Sequence, residues 1–529
     1  MDAALKSVSS ADTKASAKSW LGLVVLCLAG LAIYVSETSV AVALPDMMGD
    51  LGVSLTAIAW VATTYVLMVG VFVPLAPTFG ERFGYKKMFL VAFTLFALGS
   101  FIAWLSSSYG VLIAGRVVQG IGGCFIGPSL MKIAASIFTG KDLNIALSLV
   151  TGSVGAGTAL GPALGGYLIE TFSWNALFGV NIFIALLIIP LAYLLIDEPG
   201  KTSHIKFDIP GTCLIVVASS SLLLALANGN AGWNTDGWSS YFILGSFAVC
   251  ILSFTFFVLW ERHVERPLIL LELFKSVNFL LPAICIFVLG FGFLGTQFMF
   301  PVYMENYLNF TRLKSGMTFV PSGVGMMVIS VIIGRILDKT GAIIPVIIGF
   351  LCISISYSFG PYLSLQTDQS YLITMLIFRG LGLGLCISPV INLGVSSFKI
   401  EWRGYATSGM LFFYLLGSSC GVAAFETLLI KRTTFHSAIL SESAHKASSK
   451  YQEVSKGLQT YIRKKGSHQP FYLEAQSDKL IANHLHRVSY VAAVNGVMFV
   501  VFWVTLSSTA SLAIYEALRR MSSHEKQEI

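Results

Sequence analysis

The chain has 529 residues, of which 55% are hydrophobic and only 12% charged, about half the charged content of a soluble globular domain. That balance excludes a soluble enzyme or nucleic-acid-binding domain and describes an integral membrane protein. The formal net charge of +7 reports membrane topology and contact with acidic lipid, and calls for no nucleic-acid partner.

Residues 1–19 are polar and form the expected cytoplasmic N-terminal tail; the first apolar run is long enough to span, so no cleavable signal is expected. Fourteen runs are predicted near 20–42, 57–79, 88–106, 110–132, 144–169, 174–196, 209–228, 240–260, 278–303, 313–334, 343–363, 371–395, 404–428 and 488–515, each near the roughly 20 residues that cross a bilayer as a helix. An even number puts both termini on one side. Lysine and arginine crowd the tails and alternate connections, for example Arg82, Lys86 and Lys87, then Arg262, Arg266 and Lys275, whereas the opposite short connections carry only Arg312 and Lys314. By the positive-inside rule the termini are cytoplasmic. Residues 429–487 are expected to form one long external loop, whose charge does not disturb the topology because long loops translocate largely regardless of it. All eight cysteines lie in apolar runs, without a metal-type pair, and are read as small packing residues. No metal or other cofactor is expected.

Residues 80–87, Gly-Glu-Arg-Phe-Gly-Tyr-Lys-Lys, and residues 334–341, Gly-Arg-Ile-Leu-Asp-Lys-Thr-Gly, look like two versions of one unit. Each sets an acid, an adjacent base and a following glycine in a short turn after a span. Such duplication is usual in transporters. It divides the chain into a six-helix bundle at 20–196, a linker with two inserted helices at 197–277, a second bundle at 278–515 that includes the external loop, and a C-terminal tail at 516–529. In both turns a carboxylate beside a base and a helix end suits a latch that forms in one conformation and breaks in another. The latch residues are Glu81, Arg82, Gly84, Asp338 and Lys339.

Within the spans, Glu37 is the leading candidate. It lies in Tyr34-Val-Ser-Glu-Thr-Ser-Val with no lysine or arginine within a turn. A carboxylate at that depth is expensive unless it faces a cavity or holds a proton, which suits a group that loads and unloads one. Arg116 shares a helix face with Gln119 and is positioned to polarise a nearby carboxylate or an anionic group; Arg379 is its counterpart in the second half. Tyr65, Gln297 and Asn392, with Gln119 and Arg379, are weaker candidates for lining a substrate cavity. Glu305 and Glu426 are read as interfacial. Residues 152–166 hold six glycines and Pro162 inside an apolar run, which predicts a bent helix approached closely by its neighbours. No nucleotide-binding P-loop occurs, so energy must come from an ion gradient or not be used.

These residues resemble a known family. Gly157-x-x-x-Gly161-Pro162-x-x-Gly165-Gly166 is similar to the antiporter motif in the fifth span of major facilitator superfamily drug exporters, Glu81-Arg82-x-Gly84-x-Lys86 to its loop motif, and Arg116-x-x-Gln119-Gly120-x-Gly122 to its fourth-span motif. Fourteen spans, Ala43-Leu44-Pro45, Trp60, Tyr65 and Arg266-Pro267-Leu268 resemble the EmrB/QacA-type proton-coupled drug exporters. The chain departs from that pattern at Ser36, where an aspartate is usual and Glu37 is adjacent, at Glu81 and Pro77 in the loop motif, and at Tyr414-Leu415 in place of an Arg-Gln pair. The resemblance implies an all-α major facilitator fold, two pseudo-symmetric six-helix bundles plus two inserted helices. It implies a secondary transporter rather than an enzyme, exporting amphipathic drugs or toxic compounds in exchange for protons, with Glu37 and Arg116 as the proton-coupling residues. A small-molecule substrate, protons and the bilayer are the implied partners of a monomer in a bacterial inner membrane, and the resemblance leaves room for an accessory export protein. An exporter or importer of a defined metabolite or siderophore is the nearest alternative, and a non-transporting receptor or scaffold the alternative of another class.

Overall fold

In hydrocarbon a backbone N–H or C=O has no water to bond, so an apolar run must satisfy its polar groups within itself and becomes a helix. The computed structural model describes residues 16–138, 140–198, 208–229, 234, 236–264, 270–443, 448–464 and 470–525, with backbone alone for some helical residues, among them 335–340. In chain order the helices are α1 (Ala17–Leu51), α2 (Leu55–Phe72), α3 (Ala76–Phe83), α4 (Tyr85–Trp104), α5 (Tyr109–Ile137), α6 (Gly140–Thr171), α7 (Ala176–Leu195), α8 (Ile209–Asn228), α9 (Tyr241–Glu261), α10 (Val277–Val302), α11 (Arg312–Thr340), α12 (Ile343–Ser358), α13 (Gln369–Ser396), α14 (Ile400–Ser443), α15 (Ser449–Lys464) and α16 (Pro470–Glu525). No strand occurs among the described residues.

Thirteen of these helices are long and apolar enough to cross a membrane, and the apolar part of α2, Ala57–Phe72, is shorter. A 3-10 turn at Val73–Leu75 interrupts α2 before α3, because Pro74 lacks the N–H that an α-helix interior needs. The predicted runs are all helical, with the 57–79 run divided between α2 and α3 by that turn. Polar side chains start several of them: Ser16, Ser54, Asp208 and Ser240 each accept from the backbone N–H three residues on.

Packing sorts the helices by neighbour. In the first half α1 lies against α6 and α7, α5 against α2 and α4, and α4 against α7; in the second α10 lies against α14, α13 against α11 and α12, and α16 against α12 and α14. Helices α8 and α9 pair with each other and touch the rest mainly through α2 and α14, and α9 buries only Ile243, Phe257 and Glu261. The main seams between the halves are α6 against α11 and α2 against α14, and α1 also touches α10 and α11.

The 429–487 segment differs from the loop expected of it. Helix α14 runs on to Ser443, α15 follows, and α16 begins at Pro470. Neither glycine nor proline occurs between Val422 and Ser443, so nothing local ends the helix where the apolar run stops. Helix α15 packs on α16, with Ser455 and Ser477 hydroxyls 3.0 Å apart and Tyr451 donating to Asp478 at 2.6 Å.

Candidate functional site

Helix α1 turns four consecutive polar residues in different directions, since successive side chains on an α-helix are about 100° apart. Ser36 is buried and accepts from Asn181 Nδ2 of α7 at 2.8 Å. Thr38 donates to its own Tyr34 carbonyl at 2.7 Å and lies 3.5 Å from the Gly157 carbonyl of α6. Ser39 packs toward α6 at Gly165. Glu37 is half-buried and makes no hydrogen bond or ion pair with the described residues; Arg116, Tyr65 and Tyr414 lie within its electrostatic reach. Tyr65 belongs to α2, Arg116 to α5 and Tyr414 to α14, so the carboxyl stands where both halves converge. The serine at the position usual for an aspartate is thus committed to packing within the first half.

Arg116 is buried on α5 and held on several sides. Its Nε donates to the Val61 carbonyl of α2 at 2.7 Å, and Nη1 donates to Gln119 Oε1 at 3.0 Å. Gln119 Nε2 donates to Ser100 Oγ of α4 at 2.6 Å, and Ser100 donates on to the Phe96 carbonyl at 2.8 Å. The guanidinium lies 4.6 Å from the centre of the Tyr65 ring, a cation–π arrangement strengthened by desolvation. Gly123 leaves room for that ring, since a Cβ there would stand 2.7 Å from the Tyr65 hydroxyl. A fixed cation near an unpartnered carboxyl favours its charged form, and burial opposes it.

The glycines of α6 form two close seams. A Cβ at Gly157 would stand 2.7 Å from the Leu31 carbonyl oxygen, one at Gly161 would meet Thr38 Oγ1, and one at Gly165 would stand 2.9 Å from Ser39 Cβ, all on α1. On another face, a Cβ at Gly155 would lie 3.0 Å from Met327 Cα and one at Gly166 2.6 Å from the Arg312 carbonyl oxygen, both on α11. Gly316 of α11 in turn meets the Pro162 carbonyl. Helix α6 therefore joins the first half to the second along its length.

Other expected residues are placed less centrally. Glu81 and Arg82 are exposed, and Arg82 lies over Phe83, with no ion pair among the described residues. Gly84 has φ +93°, a conformation that favours glycine, and a carboxylate that sequence reasoning missed, Glu198, sits against it. Glu198 accepts from Lys86 N at 3.1 Å and Lys87 N at 3.3 Å at the start of α4. The side chains of Asp338 and Lys339 lie outside the described residues, as do Arg266, Pro267 and Leu268. Asn392 is exposed. Glu426, read as interfacial, is buried within the protein. Arg379 and Gln297 are brought together: Arg379 donates from Nη1 to Thr296 Oγ1 at 3.0 Å and from Nη2 to Gln297 Oε1 at 3.1 Å. On the side opposite the termini, Asp46 at the end of α1 takes a bidentate bond from Arg312 of α11, and Glu170 of α6 accepts from Leu313 N at 3.0 Å. Sequence showed these charges but not their pairing.

Two halves of membrane-spanning helices, with a half-buried carboxylate and a buried arginine where they converge, fit a membrane transporter. The model of the Major Facilitator Superfamily matches residues 26–422, and the chain belongs to that family. It is 30% identical over 419 residues to the tetracenomycin C resistance and export protein of Streptomyces glaucescens, covering 78% of this chain and 76% of that one. It is 26% identical over 426 residues to the riboflavin transporter RibZ of Clostridioides difficile, covering 80% and 91%. Among solved structures the human organic anion transporter MFSD10 aligns with TM-score 0.56 over 92% of this chain and 99% of that one, at 12% identity; that likeness concerns the fold alone.

Proposed function

We propose that the protein is a proton-coupled exporter of amphipathic toxic compounds that works by alternating access. The observation that carries this reading is the carboxyl of Glu37, without a hydrogen-bond partner among the described residues and set within electrostatic reach of Arg116, Tyr65 and Tyr414. A proton arriving from outside neutralises Glu37 and releases cargo; loss of the proton inside leaves a carboxylate beside Arg116 and restores the cargo-accepting state. Coupling requires proton and cargo to stabilise different conformations. The glycine seam of α6 supports it, because close helix contact closes one side of the cavity to ions while the other is open. The resistance and export function of the Streptomyces relative favours export. The distribution of lysine and arginine supports cytoplasmic termini; the reading takes the protein as a monomer of a bacterial inner membrane, with or without an accessory export protein.

The test is uptake into inverted vesicles under an imposed pH gradient across a panel of cationic and anionic amphipathic dyes, siderophores and metabolites. Wild type is expected to accumulate amphipathic dyes, and Glu37→Gln to lose gradient-driven flux by at least tenfold while still binding cargo. Unchanged flux in Glu37→Gln removes Glu37 from the coupling role. The riboflavin-transporting relative favours a second reading, a single defined metabolite as cargo, and selective flux of one panel member would establish it. Gradient-dependent flux of any kind excludes the receptor or scaffold alternative.

A further inference from the structure

The halves place equivalent groups at equivalent points and differ in one charge. Glu37 follows Ser36 in α1, and Gln297 follows Thr296 in α10, both about 20 residues from the start of their helices. Arg116 lies near Glu37, and Arg379 bonds Thr296 and Gln297 directly. The first half therefore sets a carboxylate within electrostatic reach of its buried arginine, whereas the second offers a neutral amide at that point.

Arg379 meets no carboxylate among the described residues. It is 2% exposed, and among those residues Tyr357 is the only titratable group that acts on it electrostatically. Two bonds engage Nη1 and Nη2, but Nε has no hydrogen-bond partner among the described residues. Gln297, also 2% exposed, turns its oxygen to the guanidinium and leaves its own Nε2 without a partner among them. Two buried donors at a cation form a place for acceptor oxygens carrying negative charge. Its walls are aromatic: the Phe293 and Phe319 rings each lie 5.6 Å from the guanidinium carbon.

We propose that Arg379 and Gln297 form an anion subsite in the second half that takes the carboxylate of an aromatic, amphipathic cargo, with Phe293 and Phe319 flanking the cargo's ring. The missing counter-ion of the second half is supplied by the cargo. In the conformation described the rings cover the guanidinium, so the carboxylate enters as α10 and α11 part and leaves by the same movement on the other side. The subsite deepens the transport reading above and rests on it for its purpose, though its chemistry is measured without a gradient.

The experiment uses the purified full chain in detergent and a matched pair of probes, 1-pyrenebutyrate and its uncharged methyl ester, with binding read by fluorescence and melting temperature recorded for each variant. Wild type is expected to bind the carboxylate at least tenfold more tightly than the ester. Arg379→Gln is expected to abolish that preference and leave ester binding within twofold. Gln297→Glu installs the carboxylate that the first half already carries; it is expected to exclude the anionic probe while melting no lower than wild type, which keeps the test decisive if Arg379→Gln misfolds. Equal binding of both probes by wild type, binding of neither, or a preference that survives Gln297→Glu overturns the proposal. Anion preference without any proton-driven flux in vesicles would sink the exporter reading and leave the subsite standing; flux without the preference would do the reverse.

Discussion

At Gly161 a single hydrogen in place of a methyl group sets the distance between two helices. A Cβ there would run into Thr38 Oγ1 and stand 2.9 Å from the Val35 carbonyl oxygen. Alanine gains about 1 kcal/mol of helix propensity, but overpacking a close contact costs about 1–3 kcal/mol, so repulsion wins. Gly161→Ala is expected to lower the melting temperature and to reduce transport at least tenfold, and Thr38→Ala in the same chain to recover most of both by removing the hydroxyl. Failure of the second change to rescue would show that the helices are not held at this point. The same scale shows how far sequence reading reached. The motif glycines were legible because six of them in one apolar run weaken a helix unless its neighbours pack into the space they leave. The choice between Ser36 and Glu37 was not, since it depends on Asn181, 145 residues away.

At the scale of elements, the start of α4 is completed by a residue from beyond α7. Gly84 has no side chain to cap the helix, and the N–H groups of Lys86 and Lys87 in its first turn donate to Glu198, whose carboxylate suits the positive end of the helix dipole. Glu198→Ala is expected to cost about 1 kcal/mol, the usual size of a lost cap, and to speed hydrogen exchange at Lys86 and Lys87 with little change elsewhere. Nearby, the Lys18 ammonium lies 2.7 Å from Asp197 and holds its carboxyl below the usual range. A lowered folded value means that the pair stabilises above the ordinary carboxylate pKa and that this is lost as pH falls through the lower one. Both side chains are largely exposed, so the effect is small: Asp197→Asn should leave the melting temperature at neutral pH almost unchanged and flatten its fall on acidification. Helix existence was readable from apolar runs, but helix ends were not. The polar extension of α14 and all of α15 lie in a stretch whose composition suggests a loop, because apolar length measures the bilayer and not the helix.

Across the whole molecule, the bidentate Arg312–Asp46 bond and the Glu170–Leu313 bond tie α1 and α6 to α11 on the side opposite the termini. Such ties choose between conformations, and about 1.4 kcal/mol is enough to change a population ratio tenfold. Arg312→Ala is therefore expected to favour opening on that side. Buried Ser315, next to the tie, replaced by cysteine in a chain lacking the native cysteines, should react with a maleimide at least threefold faster in Arg312→Ala. The charge-swapped pair Asp46→Arg with Arg312→Asp should return it to the slow rate, and equal rates in all three chains would deny the tie any part in gating.

By itself the sequence determined that the chain is helical and membrane-embedded, where its apolar helices lie, and which helix its closely packed glycines stand on. These follow from local physics: hydropathy over a bilayer's thickness, the cost of unbonded backbone in lipid, and the rarity of charge there. The tertiary structure alone decided that Ser36 packs while Glu37 meets the junction, that Glu198 takes donors at the start of α4, that Asp46 pairs with Arg312, and that Arg379 bonds the Gln297 amide. Each depends on which residues distant in sequence come within a few ångströms, and no helical period records that.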